Sequence, residues 1–339
     1  MRQVAIVKHG GPEMMRCREV RDPEPAPGEL RIAVRAAGVN FADVMARLGL
    51  YPDAPPPPAV VGYEVAGVVD AIGAGVTAFS PGDRVLALTR FGGYADRVVV
   101  PEVFAFRTPD GVDDVAAAAL PVNYLTAFVA LYRLANLAAA ETVLVYGAGG
   151  GVGIAAVQLA TLRDAVIIGT SSRAKVEAIR SLGVHHAIDR RDDIGAEVKR
   201  LTSGRGADVI LDPIGGRSFA RSYRLLAPLG RLVMYGVSSL ATGERRRVWH
   251  VLRTLVEMPA FRPLSLMNRN RAVIGLNLGH LWTEVGPLRA AMQAVIDLAA
   301  EGRIRPVIAR TFPLEQAADA HRYLQSRENV GKVVLTVDR

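Results

Sequence analysis

The chain has almost no cysteine. Cys17 stands alone, so no intrachain disulfide can form and nothing points to secretion. Lysine is nearly as scarce, with Lys8, Lys175, Lys199 and Lys332 the only four among 41 basic residues. No run of about 18 uninterrupted apolar residues occurs, which excludes a membrane-spanning helix. The opening stretch, MRQVAIVKHGG, alternates like a first β-strand and lacks the build of a signal peptide. These absences together predict a cytoplasmic protein. The formal net charge is +8, yet the arginines are scattered and no nucleic-acid motif accompanies them. We therefore expect no nucleic-acid partner; a basic balance of this kind still steers a phosphate-rich ligand. What remains is an ordinary globular composition, 50% hydrophobic and 22% charged over 339 residues, enough for about two self-sufficient cores.

The first third has a short period. Val4–Lys8, Leu30–Ala37, Val65–Ile72 and Arg84–Leu88 read as strands separated by proline and glycine. The proline run in APPPPAVVGYE (Ala54–Glu64) predicts a stiff, extended segment, read as a rigid loop near the active site, with a ligand for a partner domain as the alternative. From about Val122 the rhythm becomes strand, helix, strand, helix. The strands are Thr142–Tyr146, Ala165–Thr170, His186–Asp189, Ala207–Asp212, Arg231–Gly236 and Arg271–Leu278. Such alternation predicts an α/β fold with a doubly wound parallel sheet covered on both faces. The last helices and strands return to the first domain. The expected organisation is a nucleotide domain, residues 123–278, inserted into a discontinuous, mainly β catalytic domain, residues 1–122 and 279–339, with a cleft between them.

Thr142–Leu162, TVLVYGAGGGVGIAAVQLATL, carries the chemistry. A strand runs into the turn Gly147-x-x-Gly150-x-x-Gly153, with Gly151 and Val152 opening a small-residue helix. The strict Gly-x-Gly-x-x-Gly pattern is missed by one residue. The context is still that of a dinucleotide site, where bare backbone and a helix N-terminus meet a pyrophosphate. An NAD site wants an acid about 20 residues past the turn for the ribose 2′-OH. Here the next strand ends Gly169-Thr170-Ser171-Ser172-Arg173-Ala174-Lys175. Thr170, Ser171, Arg173 and Lys175, with Arg190 after the third strand, suit a 2′-phosphate, so the expected cofactor is NADP(H). A solvated helix start is the alternative for Arg173 and Lys175.

AAGVNFADVMARLGLY, VVGYEVAGVV, GDRV, AAALPVNYLTAF, YGAGGGVGIAAVQLA, DPIGG and NVGKVVL together resemble a medium-chain dehydrogenase/reductase of the zinc-free quinone oxidoreductase branch. VNYLTAF, LDPIGG, MYGVSS, NRNRAVIGLNLGHL and ENVGKVVL carry a narrower similarity to the vesicle amine transport protein homologues. The resemblance implies a Rossmann domain inserted in a GroES-like one. Zinc alcohol dehydrogenases place a cysteine, a histidine and a cysteine where this chain has Asn40, Tyr63 and Val122, and the four-cysteine structural lobe is missing. No metal is therefore expected.

The implied reaction is hydride transfer to a quinone or an α,β-unsaturated carbonyl, which needs no Lewis acid. By resemblance, Asn40 lies beside the nicotinamide or substrate. Tyr51 is a proton donor or substrate anchor, the alternative being an aromatic packed on the proline loop. Tyr63 lines the substrate pocket or fills the core, and Glu64 is structural. Thr126, Gly236, Val237, Leu276 and Asn277 flank the nicotinamide. Lys332 either approaches the cofactor or is a salt-bridged surface lysine. A homodimer through Arg271–Leu278 is expected. Two other activities stay open: reduction of enoyl thioesters, and a low-activity vesicle-associated binding protein of the same fold. Arg245–Met267 mixes arginine with apolar residues. It reads as a packed helix pair broken at Pro259 and Pro263, with partial lid duty, and membrane contact is not expected of it.

Overall fold

The computed structural model describes residues 1–338. The chain forms two compact units. One contains Met1–Leu125, Gly243–Arg246 and the residues from Leu281 onward; the other contains Thr126–Thr242 and Arg247–His280.

The first unit begins with β1 (Arg2–Ile6), β2 (Met15–Glu19), β3 (Glu29–Val39), helix α1 (Phe41–Arg47), β4 (Ala59–Val60), β5 (Glu64–Ile72), β6 (Arg84–Leu88), β7 (Arg97–Pro101) and β8 (Ala105–Arg107). Helices α2 (Asp114–Ala117) and α3 (Pro121–Phe128) follow. Strand β3 shows why this region is a sheet. Leu30, Ile32, Val34 and Ala36 are buried on alternate positions, the period of one covered face. Leu30, Ile32 and Val34 meet Val65, Val85, Phe312 and Leu335 in the unit's core. Each fully buried residue of this size contributes roughly 1.5–3 kcal/mol.

The second unit runs β9 (Thr142–Val145), α4 (Gly151–Thr161), β10 (Val166–Ser171), α5 (Val176–Ser181), β11 (His186–Asp189), α6 (Ile194–Leu201), β12 (Ala207–Asp212), α7 (Arg217–Arg224), β13 (Leu226–Met234), α8 (Val248–Val256), α9 (Pro263–Arg269) and β14 (Ala272–Gly275). All its strands pair parallel, in the order β11-β10-β9-β12-β13-β14. That is the doubly wound order in which the chain reverses direction between the first and fourth strands. Strand β12 is buried at every residue, because helices cover both faces. Leu144, Ile168, Ile210 and Leu232 sit at its centre with no exposed surface.

The chain then returns to the first unit through α10 (Val285–Ala300), β15 (Ile308–Pro313), α11 (Ala317–Ser326) and β16 (Lys332–Thr336). Strand β16 pairs antiparallel with β3, placing Val333 opposite Val39. This closes a seven-stranded sheet of order β15-β16-β3-β5-β6-β8, with β7 joined to β3. Among the described residues no helix is long and apolar enough to cross a membrane.

Candidate functional site

Because β9 to β14 are parallel, their C-terminal ends share one edge of the sheet. The glycine turn follows β9, Thr170 and Ser171 end β10, Gly236 and Val237 follow β13, and Leu276 and Asn277 follow β14. In open α/β sheets this is the edge that binds ligand.

Two of the turn's glycines are demanded by the fold itself. Gly147 has φ +66°, and a Cβ on Gly153 would lie 2.3 Å from the Gly147 carbonyl oxygen. Gly149 and Gly150 are different. A Cβ there would sit 3.3 Å from Ile179 Cγ2 or from the Gly147 carbonyl oxygen, a tight contact rather than the overlap met at Gly153. Their bareness instead leaves the start of α4 open. Gly150 is the N-cap, without a side-chain cap, and the first N–H groups of α4, from Gly151, Val152 and Gly153, lie outside the helical ladder. Thr170 steadies the turn: its carbonyl accepts from Ala148 N–H at 3.0 Å and its hydroxyl from Gly147 N–H at 3.3 Å. A diphosphate fits such a cradle, with bare backbone, unpaired donors and the positive end of a helix.

At the end of β10, Arg173 is exposed and Lys175 half-buried, in a single 3-10 turn. Arg190 donates its backbone N–H to the Ser171 carbonyl at 2.7 Å, and its side chain is exposed. One carboxylate does stand beside this strand end. The register pairs Ser171 with Asp189 on β11. Arg191 holds that carboxylate at 2.7 Å, which keeps Asp189 below the usual carboxylate range. Sequence reasoning overlooked both residues, since the pairing is set by the sheet.

The Asp212-Pro213-Ile214-Gly215-Gly216 turn after β12 fixes the loop carrying Val237. The buried Asp212 carboxylate accepts from the Ser218 and Ser222 hydroxyls at 2.7 Å each and from Ile214 N–H at 2.8 Å. Ser238 and Ser239 then donate to the Pro213 and Ile214 carbonyls. Leu276 N–H donates to Met234 O, holding the loop after β14 against β13. Thr126 is buried on α3, away from that edge in sequence order.

Asn40, Tyr51, Tyr63 and Lys332 belong to the first unit. Asn40 and Lys332 form a buried cluster with Glu64. Asn40 Nδ2 donates to Glu64 Oε1 at 2.8 Å, Lys332 Nζ donates to Asn40 Oδ1 at 2.6 Å, and Lys332 also pairs with Glu64 Oε1. Glu64 Oε2 accepts from Val122 N–H at 2.7 Å. Glu64 lies so close over Gly38 that a Cβ there would be 2.3 Å from Oε1. Lys332 is 3% exposed, so the surface reading of this lysine is wrong; burial makes its pairing with Glu64 obligatory. Both ends of the Asn40 amide are engaged, and Glu64 is held by Asn40, Lys332 and the Val122 N–H.

Asp43 anchors a second cluster. Its carboxylate accepts from Asn40 N–H at 2.7 Å, Gly62 N–H at 2.9 Å and the Tyr94 hydroxyl at 3.0 Å. Burial pushes its pKa up to about 7 despite these donors. The Tyr94 oxygen also lies 3.0 Å from His321 Nε2. Burial, then nearby Arg47, push His321 well below its usual pKa, so the ring is neutral. A hydroxyl has one proton. When Asp43 is ionised, Tyr94 donates to it and His321 must donate from Nε2. Neither Tyr94 nor His321 carried a signal in the sequence.

Tyr51 is half-buried and meets Tyr63 edge-on, with centroids 6.0 Å apart; Phe91 packs on the other side of Tyr63 at 5.3 Å. Tyr63 is 8% exposed, and its hydroxyl has no hydrogen-bond partner among the described residues. The three positions at which zinc enzymes carry ligands thus hold an engaged amide, a phenol and a backbone donor. Among the described residues no three His, Cys, Asp or Glu side chains are grouped as a metal ion requires.

Residues 26–110 match the profile described as alcohol dehydrogenase GroES-like domain, and residues 182–335 match that described as zinc-binding dehydrogenase. The human synaptic vesicle membrane protein VAT-1 homolog is 41% identical over 99% of this chain and 86% of its own length. A quinone oxidoreductase structure from Pseudomonas syringae superposes with TM-score 0.86 at 30% identity, covering 99% of both chains. A mycobacterial structure complexed with NADPH superposes with TM-score 0.87 at 31% identity, covering 99% of this chain and 100% of that one.

Proposed function

Because the chain belongs to the medium-chain dehydrogenase/reductase family of oxidoreductases, close to the VAT-1 homologues, we propose that it is a zinc-independent, NADPH-dependent reductase of quinones and α,β-unsaturated carbonyls. The observation that supports this most directly is the bare Gly149–Gly150 approach to the start of α4, with a cationic set at the end of β10. Bound NADPH would supply the hydride, which a conjugated acceptor takes without a Lewis acid.

The chain's own residues bind, orient and protonate. The N–H groups at Gly151, Val152 and Gly153 hold the diphosphate. Arg173, Lys175 and Arg190 receive the 2′-phosphate, while Arg191 neutralises the one acid that would repel it. Thr126, Gly236, Val237, Leu276 and Asn277 flank the nicotinamide. Tyr51 delivers the proton or anchors the acceptor oxygen, and the unpartnered Tyr63 hydroxyl lines the substrate pocket. Asn40 and Lys332 enter as positioning residues, since Glu64 already engages both.

Fluorescence titration with NADPH and NADH tests the cofactor reading. Arg173→Ala with Lys175→Ala should cut the NADPH preference at least tenfold and leave NADH affinity unchanged. Wild type that binds neither dinucleotide, or both equally, refutes it. A panel of quinones, enones and enoyl thioesters then assigns the acceptor. We also propose a homodimer joined at the β14 edge of the second unit's sheet, for which light scattering at twice 36.2 kDa is the expected result.

A further inference from the structure

Tyr63 and Tyr94 are both buried in the first unit, but only Tyr94 is satisfied. The Tyr94 hydroxyl lies 3.0 Å from Asp43 and 3.0 Å from His321 Nε2, whereas the Tyr63 hydroxyl meets no hydrogen-bond partner among the described residues. A buried hydroxyl left without a partner is costly, and native folds keep few of them. An orphan of this kind calls for a reason, and a catalytic role is one.

The backbone on both sides of Tyr63 is pinned. Gly62 N–H donates to Asp43 Oδ1 at 2.9 Å, the Gly62 carbonyl accepts from the Thr89 hydroxyl at 2.8 Å, and the Tyr63 carbonyl accepts from Thr89 N–H at 2.9 Å. Next along, Glu64 is bound by Asn40, Lys332 and the Val122 N–H. Val61 and Val65 belong to the unit's hydrophobic core and Tyr63 does not. Its ring stands instead against Tyr51 and Phe91, both half-buried. A fixed donor with no internal acceptor, in contact with Tyr51 and one residue from the Glu64–Asn40–Lys332 cluster, is preorganised for an acceptor brought from outside. Burial, then nearby Asp43, Tyr51 and Asp53, raise Tyr63 above the usual phenol range, so it donates a hydrogen bond without giving up its proton. The Asp43 carboxylate is already held by three donors and does not accept from it.

We propose that the Tyr63 O–H is the oxyanion donor of the reductase: it bonds the acceptor's carbonyl oxygen and stabilises the charge that collects there during hydride transfer. This rests on the reductase reading above. The acceptor gains a hydride from bound NADPH at its conjugated carbon, and the displaced π electrons leave a pair on the carbonyl oxygen. The Tyr63 O–H bond stays intact. The proton that completes the reduction comes separately, from Tyr51 or water. A neutral donor in a water-excluded site thus supplies part of the stabilisation that a Lewis acid gives in a metal site.

The test is Tyr63→Phe, assayed with NADPH against cyclohexenone and against menadione. Loss of one donor to a developing oxyanion should lower kcat for the enone about 100-fold, with KM little changed. The loss should be smaller for the quinone, about tenfold, because its reduced oxygen is the weaker base. NADPH affinity by fluorescence titration should not change. Thermal unfolding should occur at the wild-type temperature or above it, because the variant removes an unsatisfied group. Wild-type rates with both acceptors, a loss as large for the quinone as for the enone, or a lowered melting temperature would each overturn the inference and leave the reductase reading in place. A wild-type protein that reduces neither acceptor overturns the reductase reading, and this inference with it.

Discussion

Asp43 offers a sharp test of the first unit's energetics, through the pH dependence of its stability. Its folded pKa is about 7 against an ordinary 3.8. A raised carboxylate pKa means that the folded state holds a proton the unfolded chain has released. The associated stability is therefore full below about pH 3.8 and is lost as pH rises through 7. At about 1.4 kcal/mol per pH unit the full effect is about 4 kcal/mol, of which about 3 kcal/mol remains at pH 5 and almost none at pH 8. Other groups also titrate, so the measurement is a difference between wild type and Asp43→Asn. The amide has a single acceptor oxygen for three donors, and its nitrogen faces another donor. That adds a pH-independent cost of about 1–3 kcal/mol. Guanidinium unfolding in a Trp249→Phe background, followed by Trp282 fluorescence in the same unit, gives both curves. The stability advantage of the aspartate over the amide variant should shrink by about 3 kcal/mol between pH 5 and pH 8. Curves that run parallel across that range would refute the argument from burial.

Three further outcomes follow from the same geometry. Tyr51→Phe should lower kcat/KM for enones about 100-fold, the scale of a lost general acid, with NADPH affinity unchanged; steady-state kinetics beside a binding titration checks this. Gly153→Ala should destabilise by about 1–3 kcal/mol through overpacking against the Gly147 carbonyl, whereas Gly149→Ala, 3.3 Å from Ile179 Cγ2, should cost less stability than Gly153→Ala yet bind NADPH more weakly. Thermal unfolding and fluorescence titration separate the two effects. Lys332→Met leaves Glu64 buried without its cation and should cost about 3–5 kcal/mol, and adding Glu64→Gln should restore much of that in chemical denaturation.

The parallel sheet was legible because strands covered on both faces carry continuous apolar centres, VLV within β9 and VIL within β12. Strand β2 was not, since four of the five residues of MRCRE are exposed and no alternation marks it. Strand β13 starts at Leu226, five residues before the Arg231 start read from the sequence, because pairing with β12 overrides local preference there. The glycine turn was visible locally. What escaped was everything decided by pairing across long separations. Val333 opposite Val39 brings Lys332 to Asn40, and Ser171 opposite Asp189 brings an acid to the cationic strand end. The Asp43–Tyr94–His321 chain joins residues from three distant stretches, and no spacing rule connects them.

The union of Glu64 with Lys332 also has a meaning in time. The two are separated by 268 positions, and the lysine, on β16, is synthesised long after the glutamate. A nascent chain that has already emerged past Glu64 carries an acid with no cation to meet it. The contiguous run Thr126–Thr242 meets no such delay, so the later-made unit is free to fold ahead of the earlier-made one. Ribosomes stalled short of Lys332 should therefore display chains that protease cuts within the first 125 residues.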